Sequence, residues 1–373
     1  MKVLYIERNL TKNSLVYDQI ERISKYAEVQ ILAVHVGSHP KMHSAILHNV
    51  FCPYIPTIES IRGWCFKYTV RSKFLALNNK YDFDLIHSHF TYPEGIAACD
   101  LHRKYNIPFV ITGRGSDILL YPQQNSYLSR TIRTTLKYCS GFIAVSNNLR
   151  DKAIELGVEP ERSIFQPNGI PIGIFRWSPQ SERLRLSNQI LYAGSLTPTK
   201  NVVSMLDAFF IARKKNSELR LRIAGVGPLE HKVRQRISEL KIDEYCQLLG
   251  NLNHKELALE MQTSTILLLA SRSEGWPNVV MEAMACGTPV VGSNVGGIPE
   301  QIVNDSYGLL CDHDSPEDIA SQITMALKKN WDNSKIALHG RQYDRDTTAL
   351  RIVELYRRIK NDRHDNRKGV LTK

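Results

Sequence analysis

Two carboxylates, Glu274 and Glu282, stand with seven residues between them in Ser271-Arg-Ser-Glu-Gly-Trp-Pro-Asn-Val-Val-Met-Glu-Ala-Met-Ala-Cys-Gly-Thr-Pro-Val-Val-Gly292. A carboxylate in a loop can accept hydrogen bonds from sugar hydroxyls, and one deeper in a following helix can hold the two hydroxyls of a ribose. The same spacing also fits plain capping and solvation, because Glu is favoured near helix N-termini. A cation, Lys200, ends the segment Ser195-Leu-Thr-Pro-Thr-Lys200. At a strand-to-helix corner it suits an anion, or it is a solvated loop lysine. Gly113-Arg-Gly-Ser-Asp117 and Gly225-Val-Gly227 are glycine turns through which backbone can approach a ligand. Arg114 suits a phosphate or a sugar hydroxyl, while Asp117 reads equally as a helix cap. His87 and His89 alternate along a strand and so share a face, but no third ligand follows at metal spacing, and no metal is expected.

The elements that must hold these residues follow from the local pattern. Thr265-Ile-Leu-Leu-Leu-Ala270 has strand length and composition. Pro277 suits the first turn of a helix, residues 278–286 continue it, and Gly287 can stop it. Pro289-Val-Val-Gly292 is the next strand, which makes one βαβ unit of a parallel sheet. Glu274 then lies at the strand's carboxyl end and the helix's amino end, where open α/β sheets bind ligands and free N–H groups favour phosphate. Further strands are expected at 2–6, 29–36, 84–90, 108–112, 141–146, 189–194, 219–224, 246–250 and 308–311, and helices at 16–27, 93–103, 148–157, 202–215 and 346–360. Residues 39–56 read as loop-rich, and Pro167-Asn-Gly169 begins a candidate interdomain linker of roughly 167–187.

The pattern Glu-Gly-x-Pro-Asn-x-x-x-Glu-Ala-Met-Ala-Cys-Gly-Thr-Pro-Val-Val, with Gly296-Gly-Ile-Pro-Glu300 behind it, resembles the nucleotide-sugar site of family 4 retaining glycosyltransferases, of the bacterial surface-polysaccharide type. The resemblance covers roughly 1–360 and is strongest over 190–310. It implies an α/β chain of GT-B architecture, with two Rossmann-like domains facing a central cleft. The acceptor-side domain would span 1–168, joined by a helix of about 346–360 crossing back onto it, and the nucleotide-sugar domain 169–345. It also implies metal-independent hexosyl transfer from a nucleotide diphospho-sugar, with no cofactor. Lys200 and Glu274 would be catalytic, and Glu282, Gly275, Pro277, Asn278, Val279, Gly194, Ser195, Gly225 and Gly227 would bind the donor. Residues 251–261 would approach the nucleotide base. Arg114, Asp117 and His89 would lie on the acceptor side or near phosphate. Three positions depart from the family. Members usually carry an Arg where Ser195 stands, many carry His at Arg114, and a Gly-Gly loop usually follows the first strand. Here that loop reads Asn9-Leu-Thr-Lys-Asn-Ser14, so Lys12, Asn13 and Ser14 take the place of its phosphate-contacting N–H groups.

Composition bounds the alternatives. The 373 residues are 43% hydrophobic and 23% charged, normal for two globular domains. No run of eighteen apolar residues and no leader-like N-terminus occurs, so a cytoplasmic protein is expected. The seven cysteines have no Cys-x-x-Cys spacing, which argues against a disulfide framework or a structural zinc. A net charge of +11 suits nucleic acid, an anionic membrane or phosphorylated substrates, and no nucleic-acid-binding signature is present. Residues 60–75 interleave Trp64, Phe66, Tyr68 and Phe74 with Arg62, Lys67, Arg71 and Lys73. Such a helix can lie in a membrane interface, which would put the protein peripherally at the inner face of the cell membrane with a saccharide or lipid-linked acceptor; it can equally pack its aromatics inward. A catalytically silent scaffold of the same fold, or a transferase with a soluble acceptor, is the rival reading.

Overall fold

Each half of the chain closes its own parallel sheet, because its strands are apolar on both faces and need helices on both sides. The computed structural model describes residues 1–8, 10–11, 14–34, 42, 44–50, 52 and 59–371. It divides into two units, Met1–Pro167 with Arg345–Lys373, and Asn168–Asp344.

The first unit holds β1 (Lys2–Glu7), β2 (Glu28–Val34), β3 (Ala45–Val50), β4 (Leu85–His89), β5 (Phe109–Gly113), β6 (Gly141–Ala144) and β7 (Ser163–Phe165). They pair in parallel in the order β3-β2-β1-β4-β5-β6-β7. The helices are α1 (Leu15–Ile23), α2 (Glu59–Tyr81), α3 (Ile96–Tyr105), the short α4 (Ser116–Leu119) and α5 (Tyr121–Gln124), then α6 (Ser126–Tyr138) and α7 (Asn147–Glu155). Several details correct the sequence reading. Ala45–Val50, inside the stretch taken as loop-rich, is the edge strand β3. The helix expected from 93 opens with a π-helical turn at Thr91–Gly95, broken by Tyr92 at φ −132°, and continues as α-helix from Ile96. Residues 35 and 36, assigned to the second strand, lie outside the described residues.

The second unit holds α8 (Pro179–Glu182), β8 (Gln189–Ala193), α9 (Val202–Lys215), β9 (Arg220–Ala224), α10 (Glu230–Glu239), β10 (Cys246–Gly250), α11 (His254–Thr263), β11 (Ile266–Leu269), α12 (Asn278–Ala285), β12 (Val290–Ser293), α13 (Ile298–Gln301), β13 (Gly308–Cys311), α14 (Pro316–Lys328) and α15 (Asn333–Gly340). Its six strands run parallel in the order β10-β9-β8-β11-β12-β13. The stretch read as a linker is built into this unit. Ile170 and Phe175 are fully buried, and the Ile170 N–H donates to Tyr343 O at 2.9 Å. The last helix, α16, runs Arg345–Leu371, longer than its apolar pattern of 346–360, and belongs to the first unit. Its Tyr356 hydroxyl meets the Tyr5 hydroxyl at 2.6 Å in the buried core.

Candidate functional site

In an open parallel sheet the strand order reverses once, and the loops leaving the two central strands part to form a crevice at their carboxyl ends. In the second unit those strands are β8 and β11. The β8 loop turns through Pro198–Lys200 before α9, and the β11 loop carries Ser271 to Pro277 into α12. Lys200 and Glu274 meet there, with the Lys200 Nζ 2.5 Å from Glu274 Oε1. The fully buried Ser271 hydroxyl donates to the same oxygen at 2.7 Å. The two loops are also tied by backbone, since the Arg272 N–H donates to Thr199 O at 2.8 Å and its Nε to Asn201 Oδ1 at 3.3 Å.

The β8 and β9 loops lie side by side. The Gly194 N–H donates to Ala224 O at 2.9 Å and the Leu196 N–H to Val226 O at 3.0 Å. Gly225 has φ +145°, and a Cβ there would sit 1.8 Å from Gly194 O, so only glycine allows the approach. At Gly227 a Cβ would meet Leu196 O at 2.5 Å. Beside this contact opens a cavity of about 330 Å³, lined by Gly194, Ser195, Gly225, Asn251, Leu252 and Val279 among others. Ala193, Ala224, Val226 and Leu257 also line it, and Val279 brings the start of α12 to its wall.

α12 begins at Asn278 after Pro277, and no side chain caps its first turn. The Val280 N–H turns back to Pro277 O at 3.1 Å, and the first turn presents the positive end of the dipole. Asn278 Oδ1 is buried without a hydrogen-bond partner. Glu282, one turn on, is 6% exposed. Gly275 is half-buried in the loop before. The far end of α12 is braced by Arg185, whose guanidinium donates to Thr288 Oγ1 at 3.1 Å and Gly287 O at 3.2 Å. An amine, a paired carboxylate and an uncapped helix start around an apolar cavity can hold an anionic head beside a flat apolar group.

The first unit has a corresponding crossing point between β1 and β4. Four candidates gather around it. His89 Nδ1 lies 2.6 Å from Glu7 Oε1, both fully buried. Burial holds His89 well below the usual imidazole range and Glu7 well above the carboxylate range. His87 is pushed down to about 3 by burial and by Arg114, and its Nε2 faces Thr112 Oγ1 at 2.8 Å while Nδ1 faces the Tyr356 hydroxyl. The histidines are thus engaged by the core, and neither belongs to a metal-like cluster among the described residues. Arg114 reaches Gln19 Oε1 at 2.9 Å and, through burial, is lowered to about 10. Asp117 is buried and ties the turn, accepting from the N–H groups of Thr91 at 2.8 Å, Arg114 at 3.0 Å and Gly115 at 3.1 Å. Ser14 caps α1, its Oγ accepting from Tyr17 N at 3.2 Å. Lys12 and Asn13 lie outside the described residues.

Two family models match consecutive parts of the chain. "Glycosyltransferase Family 4" covers residues 15–173 and "Glycosyl transferases group 1" covers 175–343. The chain belongs to glycosyltransferase family 4. An uncharacterized glycosyltransferase of Methanocaldococcus jannaschii is 26% identical over 347 residues, 91% of this chain and 92% of that protein. The N-acetyl-alpha-D-glucosaminyl L-malate synthase of Bacillus anthracis is 27% identical over 69% of this chain and 68% of its own. Among solved structures, Anabaena HepE in complex with UDP superposes with a TM-score of 0.78 at 17% identity, covering 95% of this chain and 99% of that one. The two Rossmann-like units are those of the GT-B fold.

For a family 4 glycosyltransferase the sequence pointed to Lys200, Glu274 and Glu282, but did not single out four residues that shape the same loops. Ser271 carried a signal in its three-residue step to Glu274. Gly296, with φ +54°, has Glu274 O where a Cβ would be, at 1.8 Å, so the glycine after β12 sets the position of the carboxylate loop. Arg272 and Asn201 join the loops through contacts that no local pattern announces. The aromatic helix divides its residues: Phe66 and Phe74 are core, whereas Trp64 and Tyr68 are 59% and 52% exposed. Among the described residues no helix is long and apolar enough to cross a membrane.

Proposed function

We propose that this glycosyltransferase moves a hexose from a nucleotide diphospho-sugar to a saccharide acceptor with retention at the anomeric carbon, without a metal or other cofactor. The observation that carries the reading is the Lys200–Glu274 pair at the crossing point of the second sheet, beside the uncapped start of α12. In the reaction the bond from the anomeric carbon to diphosphate breaks, a bond to the acceptor oxygen forms and the acceptor's proton passes to the departing diphosphate, whose developing charge is met by Lys200 and by the positive end of α12 at 278–280. Glu274 turns from the ammonium to the hydroxyls of the donor sugar, and Glu282 holds the ribose. The nucleotide base enters the cavity between the β8 and β9 loops. Ser195 offers no cation, so Lys200 supplies the charge contributed from that loop.

The acceptor proposed is a lipid-linked saccharide of surface polysaccharide synthesis, met by a protein held peripherally at the inner face of the cell membrane. Support comes from the chain's +11 charge and from the outward Trp64 and Tyr68 among cations of α2. A donor screen with purified protein tests the enzymatic reading. Because HepE carries UDP, uridine diphospho-sugars come first. Nucleoside diphosphate should be released faster when a saccharide acceptor is added, and EDTA should leave the rate unchanged. Release that no donor or acceptor elicits would favour a silent scaffold, and loss of rate with EDTA would overturn metal independence.

A further inference from the structure

α2 is apolar on two faces. Phe66, Val70, Phe74 and Leu77 point into the core, and Gly63 packs so closely on Tyr92 that a Cβ would meet its hydroxyl at 2.6 Å. Ile61, Trp64, Tyr68 and Leu75 are all exposed. At 3.6 residues per turn these four fall within an arc of about 60°. Trp64 and Tyr68 stack at 5.7 Å, and the Arg71 guanidinium lies 5.4 Å over the Tyr68 ring. A soluble surface does not ordinarily stack two amphipathic aromatics along an exposed helix stripe, whereas the boundary between water and acyl chains favours them.

Beside this stripe, between α2, α3 and α6, lies a cavity of about 390 Å³ whose walls include Lys67, Asp100, Arg103, Arg130, Thr131 and Tyr127. Asp100 is shared by Lys67 at 3.9 Å, Arg71 at 3.6 Å and Lys104 at 4.0 Å, so one carboxylate orients three cations without making a close pair with any of them. Arg103 rests 5.6 Å from the Tyr138 ring centroid. Lys67, Arg103 and Arg130 line the cavity against the single carboxylate Asp100, three to one, while Arg71 and Lys104 reach Asp100 from outside that lining. The excess positive charge is gathered around a hollow, and a hollow of that size takes a phosphate with its ester oxygens.

We propose that this cavity binds the headgroup phosphate of an anionic phospholipid while the Ile61–Trp64–Tyr68–Leu75 stripe of α2 lies in the membrane interface. The inference deepens the peripheral attachment proposed above and is separable from the glycosyl transfer, because every residue it uses lies outside the donor site. Stripe and cavity act together: the aromatics fix the depth of α2, and that depth brings lipid phosphate level with Lys67 and Arg130. A soluble phosphate would gain only the second contact.

The test is co-sedimentation of the full-length protein, without donor, with vesicles of phosphatidylcholine alone or with 30% phosphatidylglycerol, the composition being roughly that at which surface charge dominates binding. Binding should require the anionic lipid and weaken between low and physiological salt. Lys67→Gln with Arg130→Gln should lower it on the order of tenfold, while Lys73→Gln with Lys80→Gln, the same loss of charge elsewhere on α2, should lower it much less. Trp64→Ser with Tyr68→Ser should lower it at unchanged charge. Thermal melts confirm that each variant is folded. Equal losses in the two charge pairs would mean diffuse attraction and would overturn the cavity site. Tight binding of free inorganic phosphate with indifference to vesicles would mean a soluble phosphate ligand and would overturn the lipid assignment. Nucleoside diphosphate release with a soluble acceptor, measured on the same variants, reports the transferase reading separately and should not change.

Discussion

The Lys200 ammonium and the Glu274 carboxylate neutralise each other across two loops of the second unit, 2.5 Å apart, with Ser271 as a second donor to the same oxygen. On the proposed mechanism, the cation that would meet the diphosphate is therefore already paired. Donor binding on that mechanism would exchange one anion for another and free the carboxylate for sugar hydroxyls. This gives a prediction with opposite signs for affinity and rate. Glu274→Gln frees Lys200, so nucleoside diphosphate alone should bind as well or several-fold more tightly, while turnover falls on the order of 10²-fold because the donor sugar loses its anchor. Calorimetry with the diphosphate and a release assay with the donor read the two. Weaker diphosphate binding by Glu274→Gln would show that the carboxylate does not compete for Lys200.

Glu282 is the deeper of the two carboxylates, 6% exposed on the first turns of α12. If it accepts from both ribose hydroxyls, Glu282→Ala leaves those hydroxyls unpaired in a half-closed site, a loss of about 1–3 kcal/mol. The expected outcome is nucleotide affinity weaker by about tenfold or more, and the same weakening for diphosphate and diphospho-sugar, since the ribose is common to both. An unchanged dissociation constant would remove Glu282 from the donor site.

The meeting of Lys200 and Glu274 was legible in the sequence because each is placed by local pattern. Lys200, Glu274, Glu282 and the glycines all fall within single strand–loop–helix segments, where turn residues and the 3.6-residue period leave a legible trace. α9 could be bounded to the residue, since Asn201 and Asn216 flank a continuous helix former. What stayed hidden depends on distance along the chain. Gly296 matters through Glu274, 22 residues earlier, and Tyr356 matters through Tyr5 and His87 at the other end of the protein. The edge strand β3 was missed because Ala45-Ile-Leu-His-Asn-Val50 faces solvent over much of its length and lacks a continuous apolar run. α2 misleads in another way. Its two apolar faces cancel the one-sided pattern by which an amphipathic helix is recognised.

The glycine contact between the β8 and β9 loops predicts a structural lesion with a functional consequence. Gly225→Ala places a Cβ 1.8 Å from Gly194 O at a φ of +145°, so both the overlap and the backbone conformation oppose it. The combined cost should be about 3 kcal/mol or more, which in a unit of this size lowers the melting midpoint by about 6–12 °C. Nucleotide affinity should fall as well, because the same two loops wall the cavity beside Val279. A midpoint within about 2 °C of the parent would mean that the loops part without cost, and the close approach would then be no constraint on the site.

Glu94 offers a pH-dependent test confined to the first unit. It is 2% exposed, its Oε2 has no hydrogen-bond partner, and the Arg8 N–H donates to Oε1 at 3.1 Å. Burial raises it from 4.5 to about 7, with Arg8 opposing and Asp117 adding to the rise. Between those values the folded chain keeps a proton that the unfolded chain has released, so this group removes stability as pH rises from about 4.5 to about 7 and the loss is complete above that, about 3 kcal/mol in all. Glu94→Gln is neutral throughout and escapes the loss. The difference in unfolding free energy between variant and parent should therefore be smallest near pH 4 and should grow in favour of the variant from about pH 4.5 to about pH 7, then level off. His87, held down at about 3, works in the opposite direction, since the unfolded chain takes up a proton below 6.5 and stability falls in acid. That contribution is common to both proteins and cancels in the comparison. Denaturant titrations at several pH values give the difference directly, and parallel curves with no pH-dependent gap would mean that Glu94 is ionised at little cost in the folded unit.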